Sequence, residues 1–293
     1  MPWGGGHPLG HSIGGIFGEL TDRLSATSPP CAEVRPCTLE NFDPEVQYDH
    51  EAATLLMCEM LDEAGATLHL NTIAGEPEMD GNRISAVSAH DWLGPLRFQP
   101  RMVIDCSGDG DLSAWASVPH TLGDGKGNMM AVSLTFHMVG ADTDAVFAEG
   151  DPYFRRFAAR GIAEGRLHPD LHKLYLMRGF HAGTVFCNTV IIRGVDGTDP
   201  TSVSRATQEG RRRCHQVARF LAGDVPGFRD ARMWGLGPSV GVRETRRLQA
   251  IYLITSDDIA RGGKFDDGIA ACDNPIDNVM RASAEMTHEA AVR

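Results

Sequence analysis

The stretch with the clearest chemical potential is Ser107-Gly108-Asp109-Gly110-Asp111, an acidic turn that carries two glycines. A turn of this kind, followed by a helix, presents backbone N–H groups and a helix N-terminus to a nucleotide phosphate. Its spacing imitates the dinucleotide motif GxGxxG, with Ser113 in the place of the last glycine. Many strand-to-helix turns need glycine only for a positive φ and bind nothing, so both interpretations stay open.

A second candidate is the charged run from Arg243 to Arg247. The guanidinium of Arg243 can hold a substrate carboxylate through two parallel hydrogen bonds. The alternative is an ion-pair ladder along a strand edge. On a strand, Arg243 and Arg247 would share one face, and Glu244 and Arg246 the other, so only one of these faces can look into a site.

A third candidate is His181, which lies in an Arg-Gly-Phe-His-Ala-Gly loop. An imidazole titrates near neutrality and can serve as a proton donor. A solvated loop histidine is the alternative. His137 lies on the polar face of a predicted strand, and we interpret it as a packed or solvated residue.

The glycine turn needs a strand before it and a helix after it. Met102, Val103 and Ile104 predict a buried strand, and residues 112–116 predict a short helix. Upstream, the pattern predicts helices from Ile16 and after the N-cap Asp49. Strands are predicted over residues 66–72 and 84–89, and a third short strand after Leu93-Gly94-Pro95.

The second half of the chain predicts a different set of helices and strands. Alternating apolar residues predict strands over 131–139 and 184–193, and residues 240–254 are also predicted as a strand. Residues 141–164 are predicted to be helical. Asp199 and Pro200 form an N-cap and first-position pair that predicts a long helix to about Leu221. Thr255 caps a further short helix, with Asp258 three residues later.

The totals exclude several classes of protein. The chain has 293 residues, 42% hydrophobic and 23% charged, which is typical of a globular protein. A net charge of -12 argues against a nucleic-acid partner. No apolar run is long enough for a membrane span. The seven scattered cysteines contain no CxxC, so neither a metal site nor an iron–sulfur cluster is indicated, and we expect free thiols in the cytoplasm.

Residues 103–111, VIDCSGDGD, resemble the VIDATGDGD signature of FAD-dependent oxidoreductases of the fumarate-reductase and glutathione-reductase-like superfamily, which includes the flavoprotein subunit of heterodisulfide reductase. Further segments fit the same family in the same order: residues 194–200, 225–228, 241–247, 265–270 and 275–277. The resemblance implies an FAD cofactor and hydride transfer between a small-molecule substrate and the flavin. Some relatives also carry a 4Fe-4S cluster.

The resemblance also assigns roles to residues. It favours Arg243 as a catalytic residue, with its cation placed near the flavin; Glu244 and His181 are the other catalytic candidates. The turn from Ser107 through Gly108, Asp109 and Gly110 to Asp111 would contact the cofactor, and so would His288 in the closing His-Glu-Ala run.

The expected fold is α/β. It comprises an incomplete FAD/NAD(P)-binding three-layer domain, residues 1–120 with 274–293 returning to it, and an inserted β-rich α+β substrate domain, residues 121–273.

Family members open with a strand–GxGxxG–helix unit, and no GxGxxG occurs near the start of this chain. We therefore expect a truncated member that binds FAD weakly or not at all by itself. Two alternatives are a non-catalytic remnant and a subunit whose nucleotide half comes from another chain. The oligomeric state is left open.

Overall fold

The computed structural model describes residues 14–36, 45–148 and 150–269. The helices in this part of the chain are α1 (Gly15–Ser25), α2 (His50–Glu63), α3 (Asp111–Trp115), α4 (Thr143–Phe147), α5 (Arg155–Ala163), α6 (Pro200–Asp224) and α7 (Ser256–Ala260). The strands are β1 (Ala32–Arg35), β2 (Glu45–Tyr48), β3 (Ile73–Asp80), β4 (Arg83–Asp91), β5 (Gly94–Phe98), β6 (His120–Leu122), β7 (Val132–Val139), β8 (Leu176–Arg178), β9 (Thr184–Ile192), β10 (Arg232–Leu236) and β11 (Arg246–Leu248). Helices and strands are mixed along the chain, as an α/β fold requires.

The main core lies on one face of a four-stranded antiparallel sheet with strand order β10-β7-β9-β8. Along β7 every second side chain is buried, and Val132, Leu134, Phe136 and Met138 are each only 1% exposed. Full burial of such side chains stabilises a fold by roughly 1.5–3 kcal/mol each. The strands predicted over 131–139 and 184–193 are confirmed, because the period of two places one apolar face on the core.

Helix α6 covers this apolar face. Asp199 caps it by accepting hydrogen bonds from the backbone N–H groups of Thr201 and Ser202. The predicted long helix is therefore confirmed, and it ends at Asp224. Gly210 lies so close to the sheet that an added Cβ would come within 3.0 Å of Leu134. The absence of a side chain thus lets the helix and the sheet approach each other.

The helix predicted over 141–164 is instead two helices, α4 and α5. Gly150 has φ +73°, and the Asp151 carboxylate accepts hydrogen bonds from the backbone N–H groups of Tyr153 and Arg155. Phe154 then precedes α5 with φ +49°. The local Asp151 turn competes successfully with helix continuation at this point.

The first half holds smaller units. Strands β3, β4 and β5 form an antiparallel meander, and β1 pairs with β2. Helices α1 and α2 pack with β1 and β2 around a second apolar cluster that includes Leu24 and Leu56. The helices predicted from Ile16 and after Asp49 are confirmed. Asp49 accepts hydrogen bonds from the backbone N–H groups of Glu51 and Ala52, as an N-cap does.

Two predicted strands in this half are wrong. Residues 66–72 and 102–104 form no strand, and Leu70, Met102 and Ile104 are 67%, 82% and 81% exposed. A strand is stabilised by backbone hydrogen bonds to a neighbouring strand. All the strand pairs found among the described residues are antiparallel, and none of them includes either of these two segments. The apolar pattern of these two segments is therefore not sufficient to make them strands.

The strand predicted over 240–254 is reduced to the three residues of β11, which pairs with the equally short β6. Ile251, Leu253 and Ile254 are exposed. Beyond β11, the capping box of Thr255 and Asp258 is confirmed at the start of α7. The division of the chain at residue 120 stays a prediction. None of the helices in the described ranges combines the length and the apolar character that crossing a membrane demands.

Candidate functional site

The glycine turn is present and continues directly into α3. Gly108 and Gly110 have φ +88° and +63°, which L side chains rarely adopt, so glycine is required at both positions. Within the part of the chain that the structure describes, the backbone N–H groups of Gly108, Asp109 and Gly110 have no hydrogen-bond acceptor. Three consecutive N–H groups of this kind can receive an anion or a polar oxygen.

Asp105 holds the turn in shape. Its two carboxylate oxygens accept hydrogen bonds at 2.7–3.1 Å from the backbone N–H and side-chain hydroxyl groups of Ser107 and Ser113. Burial opposes ionisation of Asp105, but the bonds from Ser113 and Ser107 outweigh it and lower its pKa to about 2. Asp105, which sequence reasoning did not single out, is thus the residue that connects both ends of the turn.

We expect the Asp105→Asn variant to be less stable than wild type by about 1 kcal/mol at neutral pH, after allowance for solvent screening. The folded pKa of about 2 lies below the ordinary value of 3.8. The ionised carboxylate therefore stabilises the fold above the ordinary pKa, and this stabilisation is lost as the pH falls through the interval between the two values.

Urea unfolding of the Asp105→Asn variant and of wild type, at neutral pH and near the folded pKa, measures this difference. The exposed α2 residue Asp62 supplies the control variant Asp62→Asn. A stability gap that is the same at both pH values would contradict the assignment.

Asp109 and Asp111 are turned toward the start of β11. The Asp109 carboxylate accepts a 2.8 Å hydrogen bond from the Thr245 hydroxyl, and Asp111 forms a 2.7 Å ion pair with Arg246. Arg246 also donates to the backbone carbonyl of Asp109 at 3.0 Å. Both carboxylates are thereby engaged by protein donors, which reduces their repulsion of an anion at the turn.

The predicted strand faces of this run, and with them the alternative of a ladder along a strand edge, are wrong, because residues 242–245 form no strand. Glu244 pairs with Arg247, three residues away, and also accepts a 3.1 Å hydrogen bond from the backbone N–H of Met130. Its side chain is only 7% exposed. Arg243 instead donates to the Ser133 hydroxyl on β7, at 3.4 Å. Arg243 and Glu244 thus contact different parts of the chain.

His181 contacts a residue far away in the chain. Its Nε2 lies 2.9 Å from Oδ2 of Asp49, while Oδ1 of Asp49 caps α2. The hydrogen bond from the backbone N–H of Ala52 is the largest cause of a lowered pKa at Asp49, and the bond from His181 adds to it. Asp49 therefore stays ionised at neutral pH and holds the imidazole in one orientation.

Two further histidines lie beside this pair. His50, the first residue of α2, stacks on His137 of β7 with ring centroids 6.1 Å apart. His137 also packs against Phe186, whose ring centroid is 5.1 Å away. Burial, and to a smaller extent electrostatic repulsion from His50, lower the pKa of His137. His137 is thus a packed imidazole that stays neutral at pH 7, as the sequence interpretation of a packed residue implies.

We call Asp49, His50, His137 and His181 the histidine cluster. It lies on the face of the four-stranded sheet opposite α6, because His137 alternates with the core residues of β7. Ser133, which contacts Arg243, shares this face at four residues' distance, about 13 Å along the strand. Sequence reasoning treated Asp49 only as a helix cap and passed over His50, since no local pattern marks a contact across 132 residues.

The predicted residues of the glycine turn form a separate group from the histidine cluster. The structure brings Ser107, Gly108, Asp109, Gly110 and Asp111 together in one turn, and His288 lies outside the described residues. Cys106, which directly precedes the turn, is exposed, because the segment before the turn is not in a sheet. In the three described ranges, no His, Cys, Asp and Glu side chains converge in a group of three that could hold a metal ion.

Comparison with known proteins agrees with the motif resemblance. A family model described as FAD dependent oxidoreductase matches residues 2–292. No curated protein and no solved structure matches the chain.

Proposed function

Because the chain belongs to the FAD dependent oxidoreductase family, whose cofactor is FAD, we propose that it takes part in hydride transfer between the flavin and a small-molecule substrate. In this proposal the substrate side of the site is the polar face of the four-stranded sheet, with the histidine cluster at one end and Arg243 at the other.

The contact between His181 and Asp49 is the observation that carries the proposal. A carboxylate that orients an imidazole is the usual arrangement for a general acid or base, because it fixes the ring nitrogen that exchanges the proton. The side chain of His181 is 57% exposed, so a substrate can reach it. We assign the proton transfer that accompanies hydride transfer to His181, and the positioning of His181 to Asp49.

Arg243 and His137 would bind the substrate without exchanging a proton. The guanidinium of Arg243 carries a permanent positive charge and suits a carboxylate or another anionic group. His137 is neutral at pH 7 and can hydrogen bond to a neutral oxygen. Glu244 is buried between Met130 and Arg247, so we propose that it supports the segment that carries Arg243 and does not itself contact the substrate.

The glycine turn fits part of FAD. The N–H groups of Gly108, Asp109 and Gly110 would donate to polar oxygens of the dinucleotide, and Asp105 would keep them aligned. When bound, the flavin supplies the atom that accepts or donates hydride. Helix α3 has only five residues, and the strands of the described ranges pair antiparallel, without a βαβ crossover. We therefore propose that this polypeptide alone binds FAD weakly.

Titration of the purified chain with FAD, followed by quenching of flavin fluorescence, tests the proposal. We expect weak, saturable binding of FAD and weaker binding of riboflavin, which lacks the diphosphate that the turn would hold. Stoichiometric yellow flavin on the purified chain would contradict weak binding. Failure to bind either flavin at saturating concentrations would favour the non-catalytic alternative.

A further inference from the structure

The histidine cluster is assembled from two parts of the fold. Asp49 and His50 belong to the part built from α1, α2, β1 and β2. His137 belongs to the four-stranded sheet, and His181 to the loop between β8 and β9. Each part has its own apolar cluster, and among the described residues the two clusters share no side chain. The contact between Asp49 and His181 therefore depends on what else joins the two parts at this end of the sheet.

Arg35, the last residue of β1, joins the two parts at the base of the loop that carries His181. Its Nη2 donates a 2.8 Å hydrogen bond to the backbone carbonyl of Arg178 and lies 3.5 Å from that of Gly179. These two carbonyls come just before His181 in the chain, whereas Arg35 is 143 residues away from Arg178. Arg35 thus reaches across from the part that carries Asp49 to the part that carries His181.

The guanidinium of Arg35 is itself held in place by two carboxylates. Its Nε donates to Glu45 of β2 at 3.2 Å, and its Nη1 donates to Glu33 at 2.9 Å. Glu45 is only 7% exposed, and it also accepts a 2.9 Å hydrogen bond from the buried Gln47 side chain. Because the guanidinium is a rigid plane, carboxylates that hold Nε and Nη1 also fix the direction in which Nη2 points.

The loop that Arg35 contacts is short and bonded to itself. The backbone N–H of Gly179 donates to the carbonyl of Thr184 at 2.9 Å, and the N–H of Thr184 donates to the carbonyl of His181 at 3.1 Å. A Cβ added at Gly179 would lie 2.1 Å from the hydroxyl oxygen of Thr184, so the two sides of the loop are in close contact. A displacement of the Gly179 carbonyl would therefore carry His181 with it.

We propose that Arg35 is a positioning residue, which holds this loop so that His181 faces Asp49. The inference rests on the proposed function, in which His181 exchanges the proton. Glu33 and Glu45 already compensate the charge of Arg35, so its bond to a neutral carbonyl of the other part contributes position and not charge. Misplacing a catalytic group by about 1 Å can cost on the order of 10²-fold in rate, so this contact bears on turnover although Arg35 itself touches no substrate.

The test is an NMR experiment on the full chain labelled with ¹⁵N-histidine, because the ring nitrogens report tautomer and hydrogen bonding. The signals of His181 are identified by their loss in His181→Asn. In Arg35→Ala we expect these signals to move from the wild-type position toward that in Asp49→Ser, which lacks the carboxylate. Arg97→Ala is the matched control: it also removes an arginine from a carboxylate, that of Glu78, but on the meander of β3, β4 and β5. It should leave the signals of His181 unchanged.

Arg35→Lys keeps the positive charge beside Glu45 but lacks the planar fork, so the signals of His181 should move less and in the same direction. Thermal unfolding checks that the variants fold, and Arg35→Lys carries the test where Arg35→Ala does not fold. Wild-type signals of His181 in every Arg35 variant that folds, or an equal change in the control, would overturn the proposal.

Turnover is the second measurement, followed as anaerobic bleaching of added FAD by a panel of small 2-hydroxy acids, whose carboxylate suits Arg243. Arg35→Ala should lower turnover about tenfold or more, but should cause no further loss when His181→Asn is already present. An equal loss in both backgrounds would show that Arg35 acts only on the fold. The NMR result needs neither flavin nor substrate, so it stands apart from the proposed function, which fails if His181→Asn turns over at the wild-type rate.

Discussion

Gly123→Ala is expected to destabilise the fold by roughly 2–5 kcal/mol, because left-handed backbone strain and overpacking act together. Gly123 has φ +51°, and an added Cβ would lie 2.0 Å from the backbone oxygen of Asn128 and 2.7 Å from its carbonyl carbon. Backbone atoms cannot move aside as a flexible side chain does, so the whole turn must shift. Urea unfolding followed by circular dichroism measures the loss.

Gly125 offers a control within the same turn. It has φ +82°, but nothing lies within 4 Å of its added Cβ. Gly125→Ala should therefore lose only the conformational part, about 1 kcal/mol. Equal losses in the two variants would show that the contact with Asn128 is relieved at little cost. The turn also matters for the site, since the Gly123 N–H donates to the Thr245 carbonyl at 2.8 Å.

His181→Asn is expected to lower substrate turnover by about 10²–10⁴-fold, the usual contribution of a general acid or base. Asn can still hydrogen bond to Asp49 but cannot exchange a proton at neutral pH. The measurement is anaerobic bleaching of the flavin's visible absorbance, with FAD in excess and with whichever small molecule of a panel bleaches wild type. A loss in substrate affinity alone, with turnover unchanged, would contradict the proton-transfer role.

Asp49→Ser separates the two roles of Asp49. Serine also caps helices, so stability should stay within about 0.5 kcal/mol of wild type. Serine lacks the second oxygen that contacts His181, and turnover should fall about tenfold or more because the ring loses its orientation. A variant that loses stability in proportion to its turnover would instead indicate that the contact only supports the fold.

Sequence patterns correctly predicted those helices and strands whose apolar face packs against another element of the fold. The alternation in β7 and the capped start of α6 identified a sheet face and the helix that covers it, and both lie where they were expected. The segment at 102–104 has the same apolar character, yet it forms no strand. An apolar pattern indicates which side of a strand would be buried, but it does not show whether a neighbouring strand is there to pair with it.

The candidate site was predictable to a smaller extent. The glycine turn follows from the local requirement for positive φ, so residue types alone reveal it. The histidine cluster depends on contacts between α2, β7 and the loop after β8, which no local pattern encodes. Glu244 was a catalytic candidate as part of the charged run beside Arg243, and its burial becomes visible only with Met130 and Arg247 in place.

The divided carboxylate of Asp49 has a consequence for which residues position 49 can tolerate. One oxygen serves the first turn of α2 and the other serves the loop that carries His181, 132 residues away. Asn, Ser and Thr satisfy the helix, and a longer acid such as Glu satisfies the imidazole, but only aspartate has the reach and charge for both. The same carboxylate therefore contributes both to stability and to activity, so we expect a substitution at position 49 to impair at least one of the two.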